Sequence, residues 1–239
     1  MRLATGVSSH VRSFVREPVS VVLLLGFPIV IVEIMRLAFA SFPELPSMSA
    51  PPATVARMTG ALFATAFLAG MVGVFQVVSA TAADRRLVLC GFTRTELFFS
   101  RLVTLCGVTA VAALLSFGTL WRHVSPAKPA AAFAALVFAG VVFGLFGMLV
   151  GSLIPRELEG SLALVFLADA DLFLGSGLVS TDSPFVKLFP LHYPQTLFES
   201  AVVSGTIATG DVLAGGLYAA VLLVLVSLAY GRTTGGAEA

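Results

Sequence analysis

Residues 129–155 read PAAAFAALVFAGVVFGLFGMLVGSLIP and contain no charged side chain. A helix of this length crosses the ~30 Å hydrocarbon core of a bilayer at about 1.5 Å per residue. Lipid offers the backbone no hydrogen-bond partner, so an apolar run that crosses it must be helical. The stretch therefore predicts a membrane-spanning helix.

Five other runs in the chain are also predominantly apolar and long enough to cross a bilayer. Together with the first they predict six spans, at about 19–39, 58–83, 98–121, 130–153, 161–179 and 212–231. The composition agrees, because 58% of the 239 residues are hydrophobic and 11% are charged, against about 25% charged in an average soluble domain. The predicted fold class is all-α: a polytopic membrane protein with a single transmembrane domain over residues 1–239.

The composition also argues against several function classes. The net charge is +1, which is no basic excess for a nucleic-acid surface, so we expect no nucleic-acid partner. The two cysteines, Cys90 and Cys106, are too few for a disulfide framework or a thiolate metal cluster, and we expect no metal site.

The basic residues predict the orientation. An even number of spans puts both termini on one side of the membrane, and with the termini inside, nine arginines lie on the inner side against five basic residues outside. The positive-inside rule favours this arrangement. We therefore expect a multi-pass plasma-membrane protein with both termini cytoplasmic. The inner set is Arg2, Arg12, Arg16, Arg85, Arg86, Arg94, Arg101, Arg156 and Arg232, and the outer set is Arg36, Arg57, Arg122, Lys128 and Lys187.

Residues 1–17, which precede the first span, have amphipathic helical spacing. Leu3, Val7, Val11 and Phe14 fall on one face, and serines and arginines fall on the opposite face. Such a segment lies in the membrane interface with its arginines towards anionic headgroups. The other interpretation is a positively charged leader that only fixes the topology.

The segment between spans two and three, residues 84–96, has the pattern of a short amphipathic elbow. Leu87–Leu89 predicts a short helix that Gly91 ends. Thr93 and Glu96 have the spacing of a capping box, in which the side chain of each residue accepts a hydrogen bond from the backbone N–H of the other. The elbow either inserts into a groove on a soluble partner or is a tight positive loop that anchors the topology.

An amphipathic N-terminal segment, six spans and an elbow of the form DRR…GFTRTELFFSRL resemble the permease subunits of type-2 ATP-binding-cassette (ABC) exporters. In that family this loop carries the coupling helix that contacts the ATPase. The resemblance implies ATPase-coupling roles for Arg85, Arg86, Arg94 and Glu96. The family's usual acidic-Arg-x-x-Gly-Thr run is replaced here by Arg85-Arg86-Leu87.

A second stretch carries the same resemblance. Residues 173–202 read FLGSGLVSTDSPFVKLFPLHYPQTLFESAV, and the family likewise has a glycine-containing end to span five followed by a Pro-Leu-x-Tyr element and a short helix. The resemblance implies a re-entrant helical hairpin over residues 182–205 on the outer face. Its implied outer gate comprises Pro190, His192, Tyr193 and Pro194.

The chain has no G-x-x-x-x-G-K-[ST] phosphate loop, so it is not expected to bind a cofactor or to be an enzyme itself. The resemblance implies that a separate cytoplasmic ABC ATPase binds ATP and Mg²⁺. It also implies a homodimer, or a heterodimer with a second permease, surrounded by membrane lipid. The predicted function is to form the translocation path of an exporter that is coupled to ATP hydrolysis by the ATPase subunit.

Charged residues inside the predicted spans allow further interpretations. Asp169 and Asp171 lie near the middle of span five, where an ionised carboxylate costs about 2.5–3.5 kcal/mol on insertion scales. One of them lines a substrate or ion path, or caps a structural hydrogen bond to a neighbouring helix, or the span is shifted towards an interface. The alternative function is a stand-alone secondary or proton-coupled transporter that uses these aspartates. Glu33 and Arg36 are three residues apart on one helix, a spacing at which side chains meet, which favours a local ion pair over a substrate role.

Span four carries a stripe of glycines. Glycines at this spacing let two helix backbones approach closely. We expect packing inside the subunit, with Gly70 and Gly73 of span two as the counterpart, and a dimer face is the other interpretation. The stripe comprises Gly140, Gly144, Gly147 and Gly151.

Overall fold

A computed structural model describes residues 18–39, 50–79, 81–175 and 184–235. The described chain forms eight α-helices and one short 3₁₀ segment, Pro184–Leu188, and contains no strand. The prediction of an all-α fold is therefore confirmed. The helices are α1 (Pro18–Phe39), α2 (Pro52–Val78), α3 (Thr81–Leu89), α4 (Arg94–Trp121), α5 (Pro129–Leu153), α6 (Glu157–Gly175), α7 (His192–Val203) and α8 (Thr209–Gly235).

Four of these helices, α2, α4, α5 and α8, are long and apolar enough to cross a membrane. Helices α1 and α6 occupy the places of the first and fifth predicted spans. Each carries charged side chains, including the Glu33–Arg36 pair in α1 and Asp169 and Asp171 in α6. The predicted interfacial helix over residues 1–17 lies outside the described residues.

The helix limits differ from the predicted span limits, because the predictions follow charged residues. Helix α2 begins at Pro52 and includes Arg57, since a proline in the first turn starts a helix without losing a needed N–H. It ends at Val78, and the chain then forms the separate helix α3 within the region expected to end span two. Helix α5 likewise begins at Pro129.

The long helices run between two ends of a bundle. One end, called the elbow end, contains α3, and the other, called the hairpin end, contains α7. The first turns of α2 pack on the last turns of α1, because Gly60 lies against Val32 and Met35. The C-terminal part of α8 reaches α3 through Tyr230 and Asp84. These contacts fix which end of the bundle each helix terminus occupies.

Helices α2 and α5 cross at the centre of the bundle through their glycines. A methyl group on Gly147 would overlap the carbonyl of Gly70, and one on Gly73 would overlap the carbonyl of Gly144. The same face of α5 receives Leu105 of α4 against Gly144. The prediction of packing inside the subunit, with Gly70 and Gly73 as counterpart, is therefore confirmed. Gly140 and Gly151 complete the stripe, against Thr109 and Val74.

Candidate functional site

The elbow is closed by two local hydrogen-bond motifs. At the end of α3, Gly91 has a φ of 90°, the left-handed conformation that glycine adopts without a Cβ clash. The Phe92 N–H then donates to the Leu87 carbonyl at 3.1 Å, and the Gly91 N–H donates to the Val88 carbonyl at 3.0 Å. This pattern satisfies carbonyls that a helix end leaves without partners. The predicted short helix ended by Gly91 is confirmed, although it begins earlier, at Thr81.

The second motif starts α4. The Thr93 N–H donates to the Glu96 carboxylate at 2.9 Å, and the Glu96 N–H donates to the Thr93 hydroxyl at 3.3 Å. This is the capping box that the spacing predicts, and it is confirmed. Glu96 is thus engaged in holding the helix start, which leaves the basic residues as the exposed charges of the elbow.

The surface of the elbow that faces away from the bundle is basic. Arg86 and Arg94 are exposed, and so is the thiol-bearing Cys90 between them. The side chain of Arg85 lies outside the described part of the molecule. Two of the predicted coupling residues, Arg86 and Arg94, are therefore exposed, one on each side of the Gly91 turn.

The surface of the elbow that faces the bundle is held by a buried charge cluster around Arg101 of α4. The Arg101 guanidinium lies against Asp84 of α3, with Nη2 at 2.6 Å from Oδ1 and Nε at 3.1 Å from Oδ2. Nε also donates to the Tyr230 hydroxyl of α8 at 3.1 Å, and Nη1 donates to the Gln76 carbonyl of α2. Tyr230 in turn donates its hydroxyl to Asp84. One guanidinium therefore joins four helices.

Burial determines how much this cluster contributes to the stability of the fold. The side chains of Arg101 and Asp84 are each 2% exposed, and Tyr230 is 3% exposed. A buried ion pair is tolerable where its remaining donors and acceptors are satisfied, and removing one partner then leaves an uncompensated charge. Sequence spacing alone does not pair these residues. The available signal is that Asp84 and Arg101, opposite in sign, stand at adjoining ends of consecutive predicted spans.

A further polar contact ties the elbow end to α6. The hydroxyl of Ser79, which follows the last residue of α2, donates to the Glu157 carboxylate at 2.7 Å. Arg156 pairs with Glu159 at 2.7 Å, but both side chains are more than half exposed. The Ser79 contact places the start of α6 beside the end of α2.

At the hairpin end, Asp171 and Asp169 have different surroundings. Asp171 is 2% exposed, and its Oδ2 accepts the Leu191 N–H, which precedes α7, at 2.7 Å. Asp169 is exposed on the same helix. This geometry corresponds to the interpretation in which one aspartate caps a structural hydrogen bond to a neighbouring helix. The two aspartates do not form one site.

The described part of the predicted hairpin, residues 184–205, is tied to two other elements. The N–H groups of Ala127 and Lys128, just before α5, donate to the Val202 and Ala201 carbonyls at 3.0 and 2.9 Å. The Tyr218 hydroxyl of α8 donates to the Leu188 carbonyl at 3.0 Å. These bonds hold both the start and the end of the hairpin against the bundle.

The four predicted gate residues surround the start of α7. Pro190 and Pro194 are buried, whereas His192 and Tyr193 are partly exposed and their rings meet edge to face at 5.0 Å. Burial lowers the pKa of His192 below its usual range, and Lys187 acts in the same direction. The lowered pKa favours the neutral form of the imidazole.

The Glu33–Arg36 ion pair is present in α1, with 2.8 Å between Oε2 and Nε, so that prediction is confirmed. Glu33 also lies 3.6 Å from Nε2 of His123, which follows α4. The carboxylate thus connects α1 to the end of α4, a contact that sequence spacing alone does not reveal.

No protein-family model matches the chain, and no curated protein sequence matches it. Its function is therefore argued from the geometry of the elbow and the hairpin.

Proposed function

We propose that the chain is the membrane-spanning permease subunit of an ABC exporter, driven by a separate ATPase. In this proposal all six long helices span the bilayer, with the elbow end in the cytoplasm and the hairpin end outside. The ATPase docks on the elbow, and the hairpin forms a re-entrant gate at the exit of the translocation path. Two copies, or this chain and a sister permease, enclose that path.

The observation that carries the proposal is the construction of the elbow. A surface that receives motion from a partner must not yield locally, and the elbow is closed at one side by the Gly91 turn and at the other by the Thr93–Glu96 box. Its inner face is fixed to the bundle through Asp84. Its surface directed away from the bundle keeps Arg86 and Arg94 exposed. A loop that only anchored topology would need the exposed charge but not the rigid attachment to the bundle.

The charge distribution supports the orientation. Arg86, Arg94, Arg156 and Arg232 are exposed at the elbow end, and exposed arginines on the cytoplasmic side satisfy the positive-inside rule. Exposed charges at a docking surface mainly set the partner's orientation and association rate. Reversing them therefore weakens docking without disturbing the buried cluster.

The test is a pull-down of the tagged chain from its native membrane in mild detergent, with mass spectrometry of the co-purifying proteins. We expect a near-stoichiometric soluble ATPase that carries a phosphate loop. Arg86→Glu combined with Arg94→Glu should reduce its recovery at least tenfold. The matched control reverses two exposed charges at the hairpin end, Arg122→Glu with Lys187→Glu, and should leave recovery unchanged.

The opposite result has a defined meaning. If no ATPase co-purifies under conditions that retain the ATPase of a known exporter, the proposal is wrong. The stand-alone transporter then becomes the better account. In that case the purified chain alone should carry out gradient-driven transport.

A further inference from the structure

Helix α8 is attached to both ends of the bundle through tyrosine hydroxyls. Tyr230 donates to Asp84 of the elbow, and Tyr218 donates to the Leu188 carbonyl of the hairpin. The two tyrosines lie about 18 Å apart along the helix axis, at about 1.5 Å per residue. One rigid element thus holds polar contacts with both of the segments that the proposed function requires to move.

The remaining packing of α8 is slight. Within its apolar window 17% of the residues are buried, against 56% in α2 and 61% in α5. Leu213, Leu217 and Leu228 are each more than 60% exposed. Because dispersion and burial hold this helix less than they hold its neighbours, the two hydroxyl bonds determine more of its position.

The contacts at each end are specific as well as polar. At the elbow end the Tyr230 hydroxyl both accepts from Arg101 and donates to Asp84, within a cluster that is almost fully buried. At the hairpin end α8 packs closely on α7, because a methyl group built on Gly215 would lie 3.1 Å from the Cβ atom of Tyr193. A shift of α8 therefore alters both neighbours.

We propose that α8 transmits displacement of the elbow to the hairpin, with Tyr230 and Tyr218 as the positioning residues at its two ends. The inference rests on the proposed function, in which the ATPase acts on the elbow and the hairpin gates the exit. Thermodynamic coupling between two sites is reciprocal. Loosening either tyrosine contact therefore loosens the segment at the far end of α8 too.

The test is hydrogen–deuterium exchange of the full chain in lipid nanodiscs, followed in residues 84–96 and 184–205. Tyr230→Phe removes one hydroxyl at the elbow end. We expect amide exchange to accelerate in both segments, by between about tenfold and a hundredfold, the range that the loss of a hydrogen bond to a charged group produces. Tyr218→Phe should give the reciprocal result.

Ser227→Ala is the matched control, since it removes a hydroxyl from α8 that donates to the Val224 carbonyl of the same helix. It should leave exchange in both segments unchanged. If Tyr230→Phe accelerates exchange in the elbow alone and Tyr218→Phe in the hairpin alone, the inference is overturned. Should Tyr230→Phe also accelerate exchange throughout α5, that variant has lost its fold, and the result for Tyr218→Phe decides.

The ATPase is absent from this measurement. Failure of α8 to couple the segments is therefore distinguishable from failure of the proposed function, which the pull-down reports. An intact coupling without a co-purifying ATPase would contradict the exporter proposal alone.

Discussion

Arg101 and Asp84 form a buried ion pair, with 2.6 Å between Nη2 and Oδ1, between two helices that are consecutive in the chain. Tyr230, from the far end of the sequence, completes the cluster. The elbow is thus fixed to the bundle by charge, whereas the helix crossings at the bundle centre are fixed by glycine packing.

Removing one member of this pair should be costly. Asp84→Asn leaves the Arg101 guanidinium buried without its counter-charge, so we expect the free energy of unfolding to fall by about 3–5 kcal/mol. Unfolding in mixed micelles titrated with sodium dodecyl sulfate measures the change. Glu159→Gln, which breaks the exposed pair with Arg156, is the control and should cost less than about 1 kcal/mol. Equal costs for the two variants would contradict the buried cluster.

The crossing of α2 and α5 should not accept a side chain. Gly147→Ala forces a methyl group into the Gly70 carbonyl, so the helices must separate, at a cost of about 1–3 kcal/mol. Gly118→Ala on α4 meets open space and should leave stability unchanged or raised, because alanine favours a helix over glycine. The same unfolding titration compares the two. A tolerated Gly147→Ala would show that the backbones are not in contact there.

The two aspartates of α6 should behave differently. Asp171→Ala leaves the buried Leu191 N–H without its acceptor, which costs about 1–3 kcal/mol, whereas exposed Asp169→Ala should change stability by no more than about 0.5 kcal/mol. Asp171→Asn keeps an acceptor oxygen, and the proposed exporter should tolerate it. Proton uptake into proteoliposomes that depends on Asp171 and is abolished in Asp171→Asn would support the proton-coupled alternative instead.

The hairpin should lose stability in acid through His192. Its pKa is lowered by burial and by Lys187, against a smaller opposing effect of Asp211. The unfolded chain therefore takes up the proton first as the pH falls below the usual histidine value of about 6.5. The contribution of His192 is fully present above that value and is lost as the pH falls through its lowered pKa. Melting temperatures measured over this range should depend less on pH in His192→Gln, and an unchanged pH dependence would contradict this role.

Much of the fold follows from the sequence because the decisive signals are local or periodic. The Thr93–Glu96 box and the Glu33–Arg36 pair each join residues three positions apart, a separation fixed by helix geometry. The glycine stripe predicts its own partner, because only a second small-residue face allows such close approach.

The contacts that define the candidate sites could not be predicted in this way. Arg101 and Tyr230 are separated by 129 positions, and Asp171 and Leu191 by 20. No periodic pattern links such residues, because their meeting depends on how the helices are arranged around one another. Charge signs narrow the possible partners of Asp84, but they do not select Arg101 over the other arginines of the elbow end.

The central claim, that an ATPase docks on the elbow, is tested most directly by cross-linking from Cys90, which is exposed there. The Cys106→Ala variant retains this thiol alone. In native membranes a bifunctional maleimide reagent with an amine-reactive arm should join it to a protein that contains a phosphate loop. A variant with Cys90→Ala, Cys106→Ala and Arg122→Cys carries its thiol at the hairpin end and should give no such adduct. Absence of the adduct from Cys90, or equal yields from the two positions, would contradict the proposed function.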